Sequence, residues 1–156
     1  MFWGKDYLKS THKKTVKDGI AYAVVKNTYN KQSFAVVSRI LDLKAKEITV
    51  PEVIDGLFVL GVGEFSFSCC KELERVELPF CISAIGKEAF GGCTNLYHIN
   101  VPEMLETIDK YAFSDCISLE DLQLPDSVKI AEKAFDCCPL EKQYKDKYVD
   151  RRNLYD

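Results

Sequence analysis

The sequence predicts an α/β repeat: a solenoid of short parallel strands joined by short helical or 3-10 turns. Two periodic features carry that reading. An apolar residue, three variable residues, a small residue, Phe, two variable residues and Cys recur at 62–70, 85–93, 108–116 and 130–138. The four phenylalanines, Phe67, Phe90, Phe113 and Phe135, are 23, 23 and 22 residues apart. Between them Pro79, Pro102 and Pro125 stand 23 apart, each closing an L-x-x-(I/V/L)-x-(L/V) segment. A fixed period of this length marks stacked supersecondary units that bury a shared core only by stacking.

In chain order, residues 1–17 form a lead with Lys5, Lys9, Lys13, Lys14 and Lys17 and no apolar stretch behind them. It is not a signal peptide. It reads as a flexible segment, or as a short helix anchored by Phe2, Trp3, Tyr7 and Leu8. Residues 18–47 hold two β-rich runs, 18–25 and 33–37, around Asn27-Thr28-Tyr29-Asn30, the signature of a hairpin that would cover the first coil. Residues 48–140 carry about four coils. In each, the last three residues before proline alternate apolar, polar, apolar, as a strand does. Proline lacks an N–H and closes the strand. Leu73, Leu96 and Leu119 form one column, Val76, Ile99 and Leu122 a second, and the phenylalanines a third. The segment from the apolar residue to Phe is read as one or two turns of helix or 3-10 helix. Residues 141–156 are polar, but Leu140, Tyr144 and Tyr148 recur every four residues, so a short capping helix is expected.

The run Ile85-Gly86-Lys87-Glu88-Ala89-Phe90-Gly91-Gly92-Cys93-Thr94-Asn95-Leu96 resembles the BspA-like class of leucine-rich repeat proteins. The resemblance covers about residues 48–140. It implies a leucine-rich-repeat solenoid, often opened by a strand pair. It leaves the ligand undefined, because that class includes adhesins, surface proteins and short cytoplasmic proteins.

With a net charge of −3 the chain has no field that selects a polyanion, so nucleic acid is not the expected partner. Apolar runs are too short to span a bilayer. With only His12 and His98, a nucleophilic triad has almost nothing to be built on. Gly61-Val62-Gly63 is a lone G-x-G whose Val62 belongs to a core column. Of seven cysteines, Cys70, Cys93, Cys116 and Cys138 share one repeat position and read as buried structural thiols. Cys69, Cys81 and Cys137 lie off that column, and neither adjacent pair has metal-ligand spacing. No cofactor or metal is expected.

The unrepeated polar residues of the strands remain. Thr49, Glu77, Asn100 and Gln123 form one outward column; Glu47, Arg75, His98 and Asp121 a second; Lys46, Glu74, Tyr97 and Glu120 a third. Tyr97 and Arg75 are the residue types enriched at binding hot spots. The expected function is therefore a non-enzymatic module presenting this face to a protein partner, in the cytoplasm. One alternative is surface adhesion or host-matrix binding, which requires secretion. Another is a thiol redox or metal-binding role. A poorly covered end of the solenoid would also invite end-to-end self-association.

Overall fold

The computed structural model describes residues 8–156. Three antiparallel strands open the chain: β1 (Leu8–Lys17), β2 (Ile20–Asn27) and β3 (Ser33–Ile40). The expected hairpin is β2–β3. The lead, expected as a separate flexible or helical segment, instead supplies a third strand from Leu8 onward, because its Thr-Val-Lys stretch pairs with Ile20-Ala21-Tyr22. Phe2, Trp3 and Tyr7 lie outside the described residues.

The repeats follow. β4 (Glu47–Thr49), β7 (Arg75–Glu77) and β9 (His98–Ile99) form a three-stranded parallel sheet from the L-x-x-I-x-L segments. A hairpin of β5 (Val53–Ile54) and β6 (Leu57–Val62) precedes the first turn region. β6, β8 (Ala84–Ile85), β10 (Thr107–Ile108) and β11 (Lys129–Ala131) form a second parallel ladder. That ladder joins β3 at one end and β12 (Tyr148–Val149) at the other, making one continuous sheet from the N-terminal meander to the C-terminal cap. Its register places Val37, Val62, Ile85, Ile108, Ile130 and Tyr148 in a single row. The repeating isoleucine, read from sequence as the start of a helix, thus sits on a strand.

The segment after it is not a continuous helix. In the second coil it is three linked i to i+3 turns, closed by Ala89 N–H to Gly86 O, Gly91 N–H to Glu88 O and Cys93 N–H to Phe90 O. Left-handed residues interrupt the turns at two fixed positions. One column is Phe65, Glu88, Tyr111 and Lys133, and the other is Cys69, Gly92, Asp115 and Cys137. The intervening N–H groups point along the solenoid instead: Phe67 donates to Ala89 O, Phe90 to Ala112 O and Phe113 to Ala134 O, each at 2.8 Å. In these turns the amides named are satisfied either within their own turn or by the next coil, as a packed interior requires.

The core is a stack. Phe67, Phe90, Phe113 and Phe135 lie fully buried with ring centroids 4.9, 5.3 and 5.3 Å apart and planes within 9° of parallel. Tyr144 adds a fifth ring 5.1 Å from Phe135. Aromatic pairs at such distances contribute about 0.5–1.5 kcal/mol each beyond their buried area. The small column Ser66, Ala89, Ala112 and Ala134 is buried beside the rings, and the sheet behind them is drawn in tightly. A Cβ on Gly63 would lie 2.5 Å from Val37 O, and one on Gly86 would lie 2.8 Å from Glu64 N.

The expected C-terminal cap has several parts. α1 (Glu141–Tyr144) is only one turn; a 3-10 turn (Lys145–Lys147), β12 and a second 3-10 turn (Arg151–Asn153) follow. Two tyrosines close the last coil. Tyr148 hydroxyl accepts from Phe135 N–H at 3.3 Å, replacing the carbonyl that a further coil would offer. Tyr144 hydroxyl accepts from Leu124 N–H at 3.0 Å and donates to Leu122 O. The C-terminal end is therefore covered, by a one-turn helix and the segment after it rather than by the single capping helix expected.

Candidate functional site

Parallel register builds the predicted face from three strands. Glu47, Arg75 and His98 align, and Thr49 aligns with Glu77. The alternating Ile48, Val76 and Ile99 point into the core, so their polar neighbours face outward. Glu77 is the hub. His98 Nε2 lies 2.8 Å from Glu77 Oε1, and Arg75 Nη2 is 3.7 Å from the same atom. The carboxylate accepts, so His98 carries its hydrogen on Nε2. Lys46 Nζ pairs with Glu74 at 3.3 Å. Tyr97, one residue before His98, is 50% exposed, and its N–H bonds Glu74 O.

Two expectations for this face change. Asn100 does not project freely. Its side chain takes the Leu78 N–H at 2.7 Å and gives a hydrogen bond to Leu78 O at 2.8 Å, so the amide stands in for a strand backbone. Glu120, Asp121 and Gln123 do not belong to the sheet; their segment is extended but unladdered, and Tyr144 holds its backbone instead. All three are exposed, and Gln123 Nε2 donates to Asp121 at 3.0 Å. The face is thus a paired polar lattice with one half-exposed aromatic ring.

The four column thiols are buried as their shared position suggests, and one off-column thiol joins them. All seven are free; Cys69 and Cys137 are exposed and the other five are buried. Cys93 Sγ donates to Phe67 O at 3.0 Å and Cys116 Sγ to Phe90 O at 3.1 Å. Off-column Cys81 is also buried, against Val59 O at 3.3 Å. Burial pushes Cys70 and Cys138 up to about 11 and Cys93 up to about 12, and raises Cys116 as well. Buried thiols held protonated are poor nucleophiles. Among the described residues no group of three or more His, Cys, Asp or Glu side chains could hold a metal ion, and no helix is long and apolar enough to cross a membrane.

One cluster has no counterpart in the sequence reading. Asp109 is buried and occupies the column of Gly63 and Gly86. Arg151 Nε and Nη2 donate to its two oxygens at 2.7 and 3.0 Å, Tyr155 hydroxyl at 2.8 Å and Lys110 N–H at 2.6 Å. Burial pushes this carboxyl up, but the Arg151, Lys110 and Tyr155 hydrogen bonds outweigh it and hold the group below its ordinary value. The only sequence signal was an acid in a glycine column.

The BspA type leucine rich repeat region model matches residues 42–145 with six copies. Among solved structures, a Treponema pallidum leucine rich repeat protein is 32% identical, covers 81% of this chain and 69% of its own, and superposes with a TM-score of 0.66. A leucine-rich repeat protein from Bacteroides capillosus shares the fold at 22% identity and a TM-score of 0.67, covering 80% of this chain and 91% of its own. One from Bacteroides ovatus does so at 23% identity and 0.59, covering 87% and 33%. Among curated proteins nothing matches this sequence. The stacked phenylalanines, the proline-closed strands and a family match over two thirds of the length agree: this chain belongs to the BspA-type leucine-rich repeat family.

Proposed function

We propose that the chain is a non-enzymatic protein-binding module whose outer strand face meets a protein partner. The observation that carries the reading is the Tyr97 ring. It stands half-exposed immediately before β9, whose register is locked by β7 of the preceding coil, in the segment that carries the Arg75–Glu77 ion pair and the Glu77–His98 hydrogen bond. A fixed aromatic ring beside an arginine is the arrangement that anchors protein interfaces. Seven free thiols, five of them buried, suit a reducing compartment such as the cytoplasm.

Affinity purification from the native cell tests it, comparing wild type with a Tyr97→Ala/Arg75→Glu double variant. Both side chains sit outside the core, so circular dichroism should match. The expected result is loss of the wild-type partner set. Partners retained undiminished by the variant would remove this face from the function.

A further inference from the structure

Beyond the strand face, each coil turns a corner after its proline, and the corners carry a second chemistry. Residues 51–62, 79–85 and 102–108 contain no Lys or Arg, although they include Glu52, Asp55, Glu103 and Glu106. These same corners hold four large exposed apolar side chains. Val53 is 41% exposed, Phe58 51%, Phe80 50% and Met104 51%.

The four belong to neighbouring rungs. Val53 and Phe58 are direct partners across β5–β6, so their side chains share one face. The next corner docks on β6, where Cys81 Sγ reaches Val59 O at 3.3 Å. The third docks on the second, through Met104 N–H to Phe80 O at 3.0 Å. By the register of β6, β8 and β10, Phe58 and Met104 share the column of buried Cys81 and Phe80 shares that of Glu103, so the exposed apolar side chains form a staggered ridge across three successive rungs. The ridge has defined ends. At the hairpin tip Asp55 accepts from Thr15 at 2.7 Å, and at the fourth corner Lys147 pairs with Asp126 at 2.6 Å.

We propose that this ridge is a docking surface for a cationic amphipathic segment of a protein partner, with alternating apolar and Lys or Arg residues. The apolar side chains would lie on Phe58, Phe80 and Met104. The cations would meet Glu52 and Glu103, which are exposed beside the row. Charge decides among occupants. A second copy docking through the same face would bring a like-charged acidic row against this one, and an anionic membrane would be repelled by the same acids.

The test uses the whole chain and a synthetic peptide alternating Leu or Phe with Lys or Arg, beside its counterpart with Glu in place of the cations. Fluorescence anisotropy should detect binding of the cationic peptide, weakened by salt, and little binding of the acidic one. Amide shift mapping should centre on Phe58, Phe80 and Met104. Phe80→Ser/Met104→Ser should weaken binding at least about tenfold, the scale of hot-spot loss. Glu52→Lys/Glu103→Lys, which leaves the apolar row intact, should weaken it as well, and Tyr97→Ala should not. The proposal is overturned if neither peptide binds, if the two bind alike, or if both ridge variants bind as wild type. It is equally overturned if sedimentation reveals a dimer that the Phe80→Ser/Met104→Ser variant dissolves.

Discussion

Cys137 holds a backbone conformation that an L side chain resists. Its φ is 55°, and the same rung is occupied by Cys69, Gly92 and Asp115 at 59°, 75° and 56°. The left-handed region costs a side-chain-bearing residue roughly 1–2 kcal/mol, part of which a glycine gives back through its larger unfolded-state entropy. Cys137→Gly should therefore stabilise the fold by up to about 1 kcal/mol, whereas Cys137→Ala, which keeps the Cβ, should not. Urea denaturation of the two variants separates the backbone effect from loss of the thiol; equal midpoints would refute it. The thiol itself is exposed and shares its rung with a glycine, so no packing is lost in either variant. This strain was invisible in the sequence. A repeat with Gly at one of four equivalent positions suggests a turn, but only the φ values make the other three strained.

Among the elements, the C-terminal segment is the one whose role was least legible. Its tyrosine spacing announced a cap, and Tyr144 is one, but the part after β12 runs on to the sheet and is held by Asp109. No periodicity links residues 42 positions apart, so this contact could not be read from the sequence. Arg151→Ala would leave Asp109 buried without its partner, at a cost of about 3 kcal/mol. Hydrogen exchange should then speed up over residues 150–156. Because the folded-state carboxyl is held below its ordinary pKa of 3.8, its contribution is complete above that value and is lost as pH falls below it. The Asp109→Asn variant should accordingly show a shallower loss of stability than wild type as pH falls below about 4. Unchanged slopes would assign the pH dependence elsewhere. The strand face was easier to foresee, because a period of two dictates which residues face out. It failed at Asn100, whose amide found a backbone partner, and at coil four, where Tyr144 replaced the ladder.

Across the whole molecule, stability is the sum of coil-to-coil contacts, and the last contact is made by a residue outside the repeat. Tyr144→Ala should cost about 3–5 kcal/mol, as loss of a buried aromatic does. Tyr144→Phe keeps the ring on Phe135 but strands Leu124 N–H and Leu122 O, and should cost about 1–3 kcal/mol. Chemical denaturation gives both; a Tyr144→Phe variant as stable as wild type would mean that the hydroxyl does nothing for the fold. The solenoid was legible because its columns are written four times over, and the caps were not, because each occurs once. The direction of the turn hydrogen bonds has a further consequence. In the turn regions each coil donates to the one after it, from Phe67 to Ala89 and onward to Phe113 and Ala134. The series therefore needs an acceptor at its far end, which Tyr148 supplies. Any whole unit inserted before that end meets the same donor on one side and the same acceptor on the other. Length is thus a free variable for this architecture: gene duplication can add or delete a 23-residue coil internally, with the Phe stack one ring longer or shorter and both terminators untouched.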